Sequence, residues 1–135
     1  MDVDRRILKE LEANSRASNI EIAKKLNISE GTVRNRIQKL IDKKIIRRFT
    51  IEISTKEGFF AVVLVKSQSQ VNTTIIVNKI KKIDGIKNVY EVAGEFDIII
   101  EVTTESSERF NDIIEKIRSI EGILETKSLT VLKIN

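Results

Sequence analysis

The sequence contains no cysteine, histidine, proline or tryptophan, and aromatic residues make up only 4% of it. Without cysteine there can be no disulfide and no thiolate metal site. Without cysteine and histidine, the usual zinc sites and the common nucleophile–base pairs are also unavailable. No apolar run approaches the roughly 18 residues of a membrane-spanning helix, and no signal peptide is recognisable. We therefore expect a cytosolic protein that needs no cofactor or metal and has no membrane partner.

Charge is abundant and unevenly distributed along the 135 residues. Residues 1–58 carry 14 basic and 9 acidic residues, whereas residues 59–135 carry 10 and 11. The excess is concentrated in residues 24–48, where nine basic residues face only Glu30 and Asp42. This distribution indicates a nucleic-acid partner for the first half and a different role for the second. The alternative is a solvated, charged protein surface.

Residues 29–43 have the pattern of an amphipathic helix. Val33, Ile37, Leu40 and Ile41 recur at helical spacing and form one apolar stripe. Ser29 precedes the stripe as a predicted N-cap. The opposite face carries amide, hydroxyl and basic side chains, which suits contact with a polar, anionic partner.

A second helix is predicted just upstream, over residues 19–26, with Ser18 and Glu21 as a capping box. A first helix is expected to be capped by Asp2 or Asp4 and to run to about Asn14. Two short helices joined by a tight turn, the second of them basic, form the helix-turn-helix pattern of DNA-binding proteins. The alternative is a pair of surface helices in an ordinary bundle.

Side chains on the polar face can be assigned to two kinds of DNA contact, because amides read base edges and cations neutralise phosphates. The candidates for base contacts are Thr32, Asn35 and Gln38. The candidates for phosphate contacts are Arg34, Arg36, Lys39, Arg47 and Arg48. Arg36 lies nearer the apolar stripe and could instead be structural, and Arg47 and Arg48 could equally be solvated charges before a strand.

The second half contains an internal repeat: residues 80–86 recur as residues 117–123, 37 positions later. A helix is predicted before each copy, and strands are predicted over residues 58–66, 86–93, 94–103 and 126–133. Gly85 and Gly122 are predicted to terminate the helices at C′, and residues 93–96 to form a tight hairpin turn. The order βαββαβ is the ferredoxin-like split motif.

Between the two halves, residues 49–53 alternate like a strand, and the polar stretch that ends at Gly58 suggests a turn or hinge. The predicted fold class is α+β: a three-helix helix-turn-helix domain, a hinge strand and a C-terminal ferredoxin-like domain. Helices on one face of the sheet leave an apolar face open, and covering it is favourable by roughly 25 cal/mol per Å². The simplest cover is a second copy of the chain, so we expect a homodimer through the sheet.

These features together resemble the Lrp/AsnC family, the leucine-responsive and asparagine-related transcription regulators, over nearly the whole chain. In the first half the residues that carry the resemblance are Asp4 to Leu8, Ile22, Ala23, Ser29, Val33, Arg36, Ile37, Lys39, Leu40, Ile45 and Ile46. In the hinge and the second half they are Phe49, Gly58, Gly85, Val89, Gly94 to Asp97, Gly122, Thr126 and Ser128.

The resemblance implies a DNA-binding domain over residues 1–48, a hinge over 49–58, and an effector-binding and oligomerisation domain over 59–135. It implies dimers that assemble further, to tetramers or octamers, and transcription regulation tuned by an amino acid or a related small molecule. Family effectors bind where effector domains of neighbouring dimers meet. The residues carried over as effector contacts are Gly94, Asp97, Thr126 and Ser128.

Each of these four residues also has a structural explanation. A hairpin needs a glycine such as Gly94 with or without a ligand, Asp97 could satisfy turn amides, and Thr126 and Ser128 could be ordinary strand residues. An architectural DNA-binding protein of low specificity without an effector is the alternative function. Glu91, Glu95 and Asp97 could in principle do acid–base work. With no nucleophile–base pair, phosphate loop or metal cluster in the sequence, however, we expect no enzymatic activity.

Two positions depart from the family pattern. Lys44 stands where the family usually has the glycine that ends the recognition helix, so either Lys44 adopts a left-handed conformation or the helix ends differently. Ser128 replaces a commoner threonine, which keeps a hydroxyl but alters the predicted pocket.

Overall fold

The computed structural model describes residues 2–53 and 57–135. The chain divides into two compact units, Met1–Glu52 and Ile53–Asn135.

The first unit is a three-helix domain made of α1 (Asp2–Ala13), α2 (Asn19–Leu26) and α3 (Glu30–Asp42). One apolar stripe of each helix faces a common core, as the spacing predicts. The buried core residues are Ile7, Leu11, Ile22, Ala23, Leu26 and Val33. Leu40 is also buried, whereas Ile41, predicted on the same stripe, is exposed.

The starts of α2 and α3 confirm their predicted caps, whereas Asp2 and Asp4, predicted to cap the first helix, lie within the first turn of α1. Ser18 accepts a hydrogen bond from the Glu21 backbone N–H, and the Glu21 side chain accepts one from the Ser18 backbone. Ser29 accepts from the Thr32 backbone N–H at 3.1 Å. Each cap satisfies an N–H group that the helix itself leaves unpaired.

The end of α3 settles the question raised by Lys44. Lys44 has a φ of 60°, so it adopts the left-handed conformation. Beyond it, the backbone N–H groups of Ile45 and Ile46 both donate to the Leu40 carbonyl, at 2.9 and 3.1 Å. The helix therefore ends in a left-handed turn of the kind usually made by glycine, with a lysine in the strained position.

The predicted hinge strand over residues 49–53 is not formed in the single chain, where these residues have no strand pairing and are exposed. A lone strand leaves its backbone groups without a ladder, so alternation alone does not produce one. Residues 54–56 of the predicted hinge lie outside the described residues.

The second unit is a four-stranded antiparallel sheet with two helices, which confirms the ferredoxin-like prediction. Its elements are β1 (Phe59–Ser67), α4 (Thr73–Ile80), β2 (Ile86–Glu91), β3 (Ile98–Thr104), α5 (Ser107–Arg118) and β4 (Ile123–Thr130). The strand order is β2-β3-β1-β4.

Both helices cover the same face of this sheet. Ala61, Val63 and Val65 of β1 alternate with half-buried residues and point toward the helices. With the buried residues of β3, α4 and α5 they form one apolar core. The other face carries Val62 and Leu64, together with the alternate residues of the neighbouring strands.

The two repeats fold alike but end their helices earlier than predicted. α4 ends at Ile80 and α5 at Arg118, so Gly85 and Gly122 do not occupy C′. Each glycine instead lies in a turn leading into the next strand, with a φ of 97°. An added Cβ would come within 2.7 Å of the Ile113 side chain at Gly85 and within 2.8 Å of Val71 at Gly122. Glycine is therefore required here both by its φ and by the lack of space.

Two strand boundaries were also predicted wrongly. β4 begins at Ile123 rather than Thr126 and ends at Thr130, where its ladder reaches Ala61 of β1; the Val131 N–H still donates to the Phe60 carbonyl at 2.9 Å. β3 begins at Ile98 rather than Gly94. The Val92 N–H donates to the Asp97 carbonyl, and residues 93–96 form bends instead of a tight hairpin turn.

Candidate DNA interface and ligand-binding region

The polar face of α3 is exposed, and the three candidates for base contacts all lie on it. The Thr32 hydroxyl is 2.7 Å from that of Ser29, so it takes part in the helix cap. Gln38 Nε2 donates to Asp42 Oδ1 at 3.0 Å. Asn35 makes no side-chain hydrogen bond with any described residue. The helix therefore presents one free amide and one that an aspartate orients.

The cationic candidates differ in their surroundings. Arg34 forms an ion pair with Glu30, one helical turn earlier, at 2.7 Å. Arg36 Nε lies 3.5 Å from Asp4 Oδ1, which links α3 to α1 and favours the structural interpretation of Arg36. Lys39 is exposed and makes no ion pair with a described residue.

Arg47 and Arg48 are exposed beyond the left-handed turn that ends α3. No strand follows them at residues 49–53, and their exposure is also what solvated charges would show. Their assignment to phosphates stays a prediction.

Sequence reasoning identified Glu30 and Asp42 as the only acidic residues of this segment but missed that they bind side chains of α3. Each lies four positions from the side chain that it binds, Arg34 and Gln38 respectively. That spacing places two side chains side by side on a helix, so the signal was present in the sequence.

The four predicted effector contacts cluster only in part. Asp97 donates its N–H to the Val65 carbonyl, and Thr126 is the register partner of Val65 on the other side of β1. Adjacent strands are about 4.8 Å apart, so these two residues flank the same end of β1 at about 10 Å from each other. Gly94 lies in the loop before Asp97, and Ser128 lies two residues further along β4.

Two of the four side chains are already engaged within the chain. Asp97 Oδ2 accepts hydrogen bonds from the backbone N–H and the hydroxyl of Ser67, at 2.8 and 3.2 Å. Thr126 Oγ1 accepts from Arg118 Nε at 3.1 Å. Ser128 is exposed, and its side chain makes no hydrogen bond with a described residue. A Cβ at Gly94 would meet no atom within 4 Å.

A shallow open cleft borders this region, lined by Arg118, Ile123, Leu124, Glu125 and Thr126. Of the four predicted contacts, only Thr126 lines this cleft. Lys66 and Lys127 each lie 5.8 Å from the ring centre of Phe96, in the same loop as Gly94. Sequence reasoning missed both lysines, because only the register of β1 and β4 places them beside that loop.

Other kinds of site are not evident in the described part of the chain. Residues 2–53 and 57–135 contain no group of three or more acidic, histidine or cysteine side chains arranged to hold a metal ion. Within those residues, none of the helices has the length and apolar character to cross a bilayer.

A helix-turn-helix with an exposed polar second helix, followed by a ferredoxin-like domain, defines a DNA-binding regulator with a separate C-terminal domain. The family model for winged helix-turn-helix DNA-binding domains matches residues 2–47. The model for the Lrp/AsnC ligand binding domain matches residues 59–134.

Individual proteins agree with these matches. The chain is 42% identical to the HTH-type transcriptional regulator LysM of Sulfurisphaera tokodaii over 97% of this chain and 94% of that protein. It superposes on the structure of E. coli AsnC with a TM-score of 0.70 and 27% identity, covering 99% of this chain and 93% of the other. A transcriptional regulator from Neisseria meningitidis, solved in complex with L-Met, has the same fold, with a TM-score of 0.72 and 21% identity over 98% and 90%.

The chain belongs to the Lrp/AsnC family of DNA-binding transcription regulators, as its sequence resemblance predicted.

Proposed function

We propose that this protein is a sequence-specific transcription regulator whose DNA binding is tuned by an amino acid or a related metabolite. The observation that carries the proposal is the exposed face of α3, where the Asn35 and Gln38 amides stand beside the cations Arg34 and Lys39. Amides and guanidinium groups are the side chains that distinguish bases in the major groove.

Sequence specificity can be tested with the full chain and a pool of DNA duplexes randomised over about two helical turns. We expect repeated selection to enrich one motif, which the protein binds at least about 1,000-fold more tightly than random duplex at physiological salt. Equal affinity for selected and random DNA would contradict the specific part of the proposal.

We also propose that the protein is a homodimer formed through the open face of the sheet. Phe60, Val62 and Leu64 of β1, with Ile99 and Leu129 beside them, give this face an apolar strip, which the charged residues Glu101 and Lys127 flank. Contiguous apolar surface of this kind is costly in water and marks an interaction site. A dimer would also carry two copies of α3, which suits two half-sites on DNA.

For the effector, we propose a site around Gly94, Asp97, Thr126 and Ser128 that a neighbouring subunit completes. The family match to a ligand binding domain supports a ligand, and the L-Met complex of a protein with this fold supports the amino-acid class. The open geometry of the region within one chain supports a shared site.

Thermal-shift screening with the twenty amino acids tests this proposal. A true effector present at about 100 times its Kd should stabilise the protein by about 2.7 kcal/mol. Ser128→Ala should abolish that shift without lowering the unliganded Tm, because the Ser128 hydroxyl makes no hydrogen bond with a described residue. Ser69→Ala removes another exposed hydroxyl and should leave the shift intact.

The alternative function is an architectural DNA-binding protein without an effector. The intrachain hydrogen bonds of Asp97 and Thr126 favour it, because these bonds give both residues a structural role. No thermal shift with any amino acid, together with equal affinity for all duplexes, is the result expected of this alternative.

A further inference from the structure

Residues 24–48 form the most basic segment of the chain, and it contains only two acidic residues, Glu30 and Asp42. Both are on α3, and each binds a polar side chain one turn away. A carboxylate on a surface that approaches DNA repels phosphates, so its presence there calls for a reason.

The geometry of the first pair leaves part of Arg34 available. Both Glu30 oxygens accept from the same guanidinium nitrogen, Nη1, at 2.8 and 2.7 Å. Nε and Nη2 keep their N–H groups for another partner, and the side chain is 61% exposed. A Cβ built on Gly31 would lie 3.7 Å from Nη2, so the guanidinium rests beside the first turn of the helix. In helix-turn-helix proteins this N-terminal part of the second helix contacts base edges.

The second pair, Gln38 and Asp42, also leaves polar groups of the reading side chain available. One N–H of the Gln38 amide is donated to Asp42 Oδ1. The amide keeps its carbonyl oxygen and its other N–H, which are the acceptor and donor that a glutamine uses on adenine. Because Asp42 accepts only from the NH₂ group, it also determines which way the amide faces.

We propose that Glu30 and Asp42 are positioning residues that orient Arg34 and Gln38 to read bases, with Arg34 bound to a guanine rather than to a phosphate. This rests on the proposed sequence-specific DNA binding and revises the assignment of Arg34. Holding two long side chains in one orientation before binding lowers the entropy lost on contact. The carboxylates also weaken attraction to phosphates of any sequence, so both effects favour the correct site over random DNA.

Helix stability offers a competing explanation for both acids. Glu30 in the first turn suits the helix dipole, and ion pairs at this spacing add slightly to helix stability. Such a role would alter Tm without altering base preference, so the two explanations predict different measurements.

The experiment uses the full chain and the motif that the wild-type protein selects from the randomised duplex pool. Glu30→Gln and Asp42→Asn remove each charge at nearly constant size. Affinities are measured for the motif, for every single-base variant of it and for random duplex, over a series of salt concentrations. Glu10→Gln is the matched control, because it makes the same charge change at a residue that pairs with Lys25, away from α3.

We expect Glu30→Gln to lose about five- to a hundredfold of discrimination at one guanine position, the range for a bidentate base contact. Arg34→Lys should lose discrimination at the same position. The double variant should lose little more than either single variant, since the same contact is removed in all three proteins. Asp42→Asn should weaken discrimination at a different position. Glu10→Gln should change affinity for all duplexes alike.

Three results would overturn the inference. If Glu30→Gln and Asp42→Asn behave like Glu10→Gln, the acids affect only charge or helix stability. If Arg34→Ala weakens binding to all duplexes equally and lowers the slope of log affinity against log salt by about 0.9, Arg34 contacts a phosphate. If the wild-type chain selects no motif, both this inference and sequence specificity fail, whereas the first two results leave specificity standing.

Discussion

Lys44 shows how a single residue can hold strain at the end of a functional helix. Its left-handed backbone, with a φ of 60°, crowds the side chain against the neighbouring carbonyl. The two hydrogen bonds to the Leu40 carbonyl hold the turn in place. The strain is therefore offset by the rest of the domain.

Lys44→Gly should relieve this strain and raise the free energy of unfolding by about 0.5–1 kcal/mol, after allowing for the greater freedom of glycine in the unfolded chain. Chemical denaturation measures the change. Lys44→Ala removes the same charge but keeps a Cβ, so it should bring no gain. Equal stabilisation by both substitutions would show that charge, not backbone conformation, limits stability here.

Asn35 offers the cleanest test of a single base contact, because no described residue competes for its amide. Asn35→Ala should cost about 1–3 kcal/mol of binding free energy at one base pair of the selected motif and little on random duplex.

Arg47→Ala should weaken binding to every duplex alike and reduce the slope of log affinity against log salt by about 0.9. A base-selective loss for Arg47→Ala would contradict its assignment to a phosphate.

At the scale of elements, the two repeats of the second unit reach the same geometry through the same pair of turns. Ile83 donates to Ile80 and Ile86 to Ile83 in the first copy, and Ile120 and Ile123 donate to the corresponding residues in the second. These turns carry the chain from each helix into the next strand. The glycine in each turn is confined by a side chain from a distant part of the chain, Ile113 at Gly85 and Val71 at Gly122.

Gly122→Ala should therefore destabilise the protein by about 2 kcal/mol or more, because a positive φ and a close contact with Val71 act together. Gly31→Ala is the matched control. Gly31 is helical and a Cβ there makes only ordinary contact, so this change should stabilise the protein by up to about 1 kcal/mol. Thermal unfolding of both variants checks the contrast, and a stable Gly122→Ala protein would refute it.

At the scale of the whole molecule, the open face of the sheet bears on assembly. Val62 and Leu129 are register partners on this face. Tyr90 and Asn88 beside them both donate to Glu101, so the face combines an apolar strip with a polar cluster. A second copy is the simplest cover for such a surface.

The double variant Val62→Lys with Leu129→Lys should convert the proposed dimer to a monomer, because two adjacent cations would meet their own copies across a two-fold interface. Light scattering measures the mass, and circular dichroism checks that the fold persists. Ile75→Lys is the control, since Ile75 is 52% exposed, like Leu129, but lies on α4. A dimer that survives the double substitution would place the interface elsewhere.

Local pattern was sufficient for the presence of the helices, for the caps of α2 and α3, and for the fold class. Helical spacing of apolar residues predicted α1, α2 and α3, and Ser18 and Ser29 begin their helices as expected. These features depend on residues within one or two turns of each other, so neighbours in the sequence determine them. The internal repeat that begins at residues 80 and 117 was also recognisable in the sequence, because the two copies have nearly the same local pattern of residues.

Features that depend on distant residues were decided only by the tertiary structure. Residues 49–53 have the alternation of a strand but no partner to pair with, and β4 takes its limits from its register with β1. The engagement of Asp97 by Ser67 and the convergence of Lys66 and Lys127 on Phe96 likewise follow from strand pairing. A strand's hydrogen bonds lie between segments far apart in the chain, so sequence pattern specifies which residues can pair, and only the assembled sheet selects which of them do.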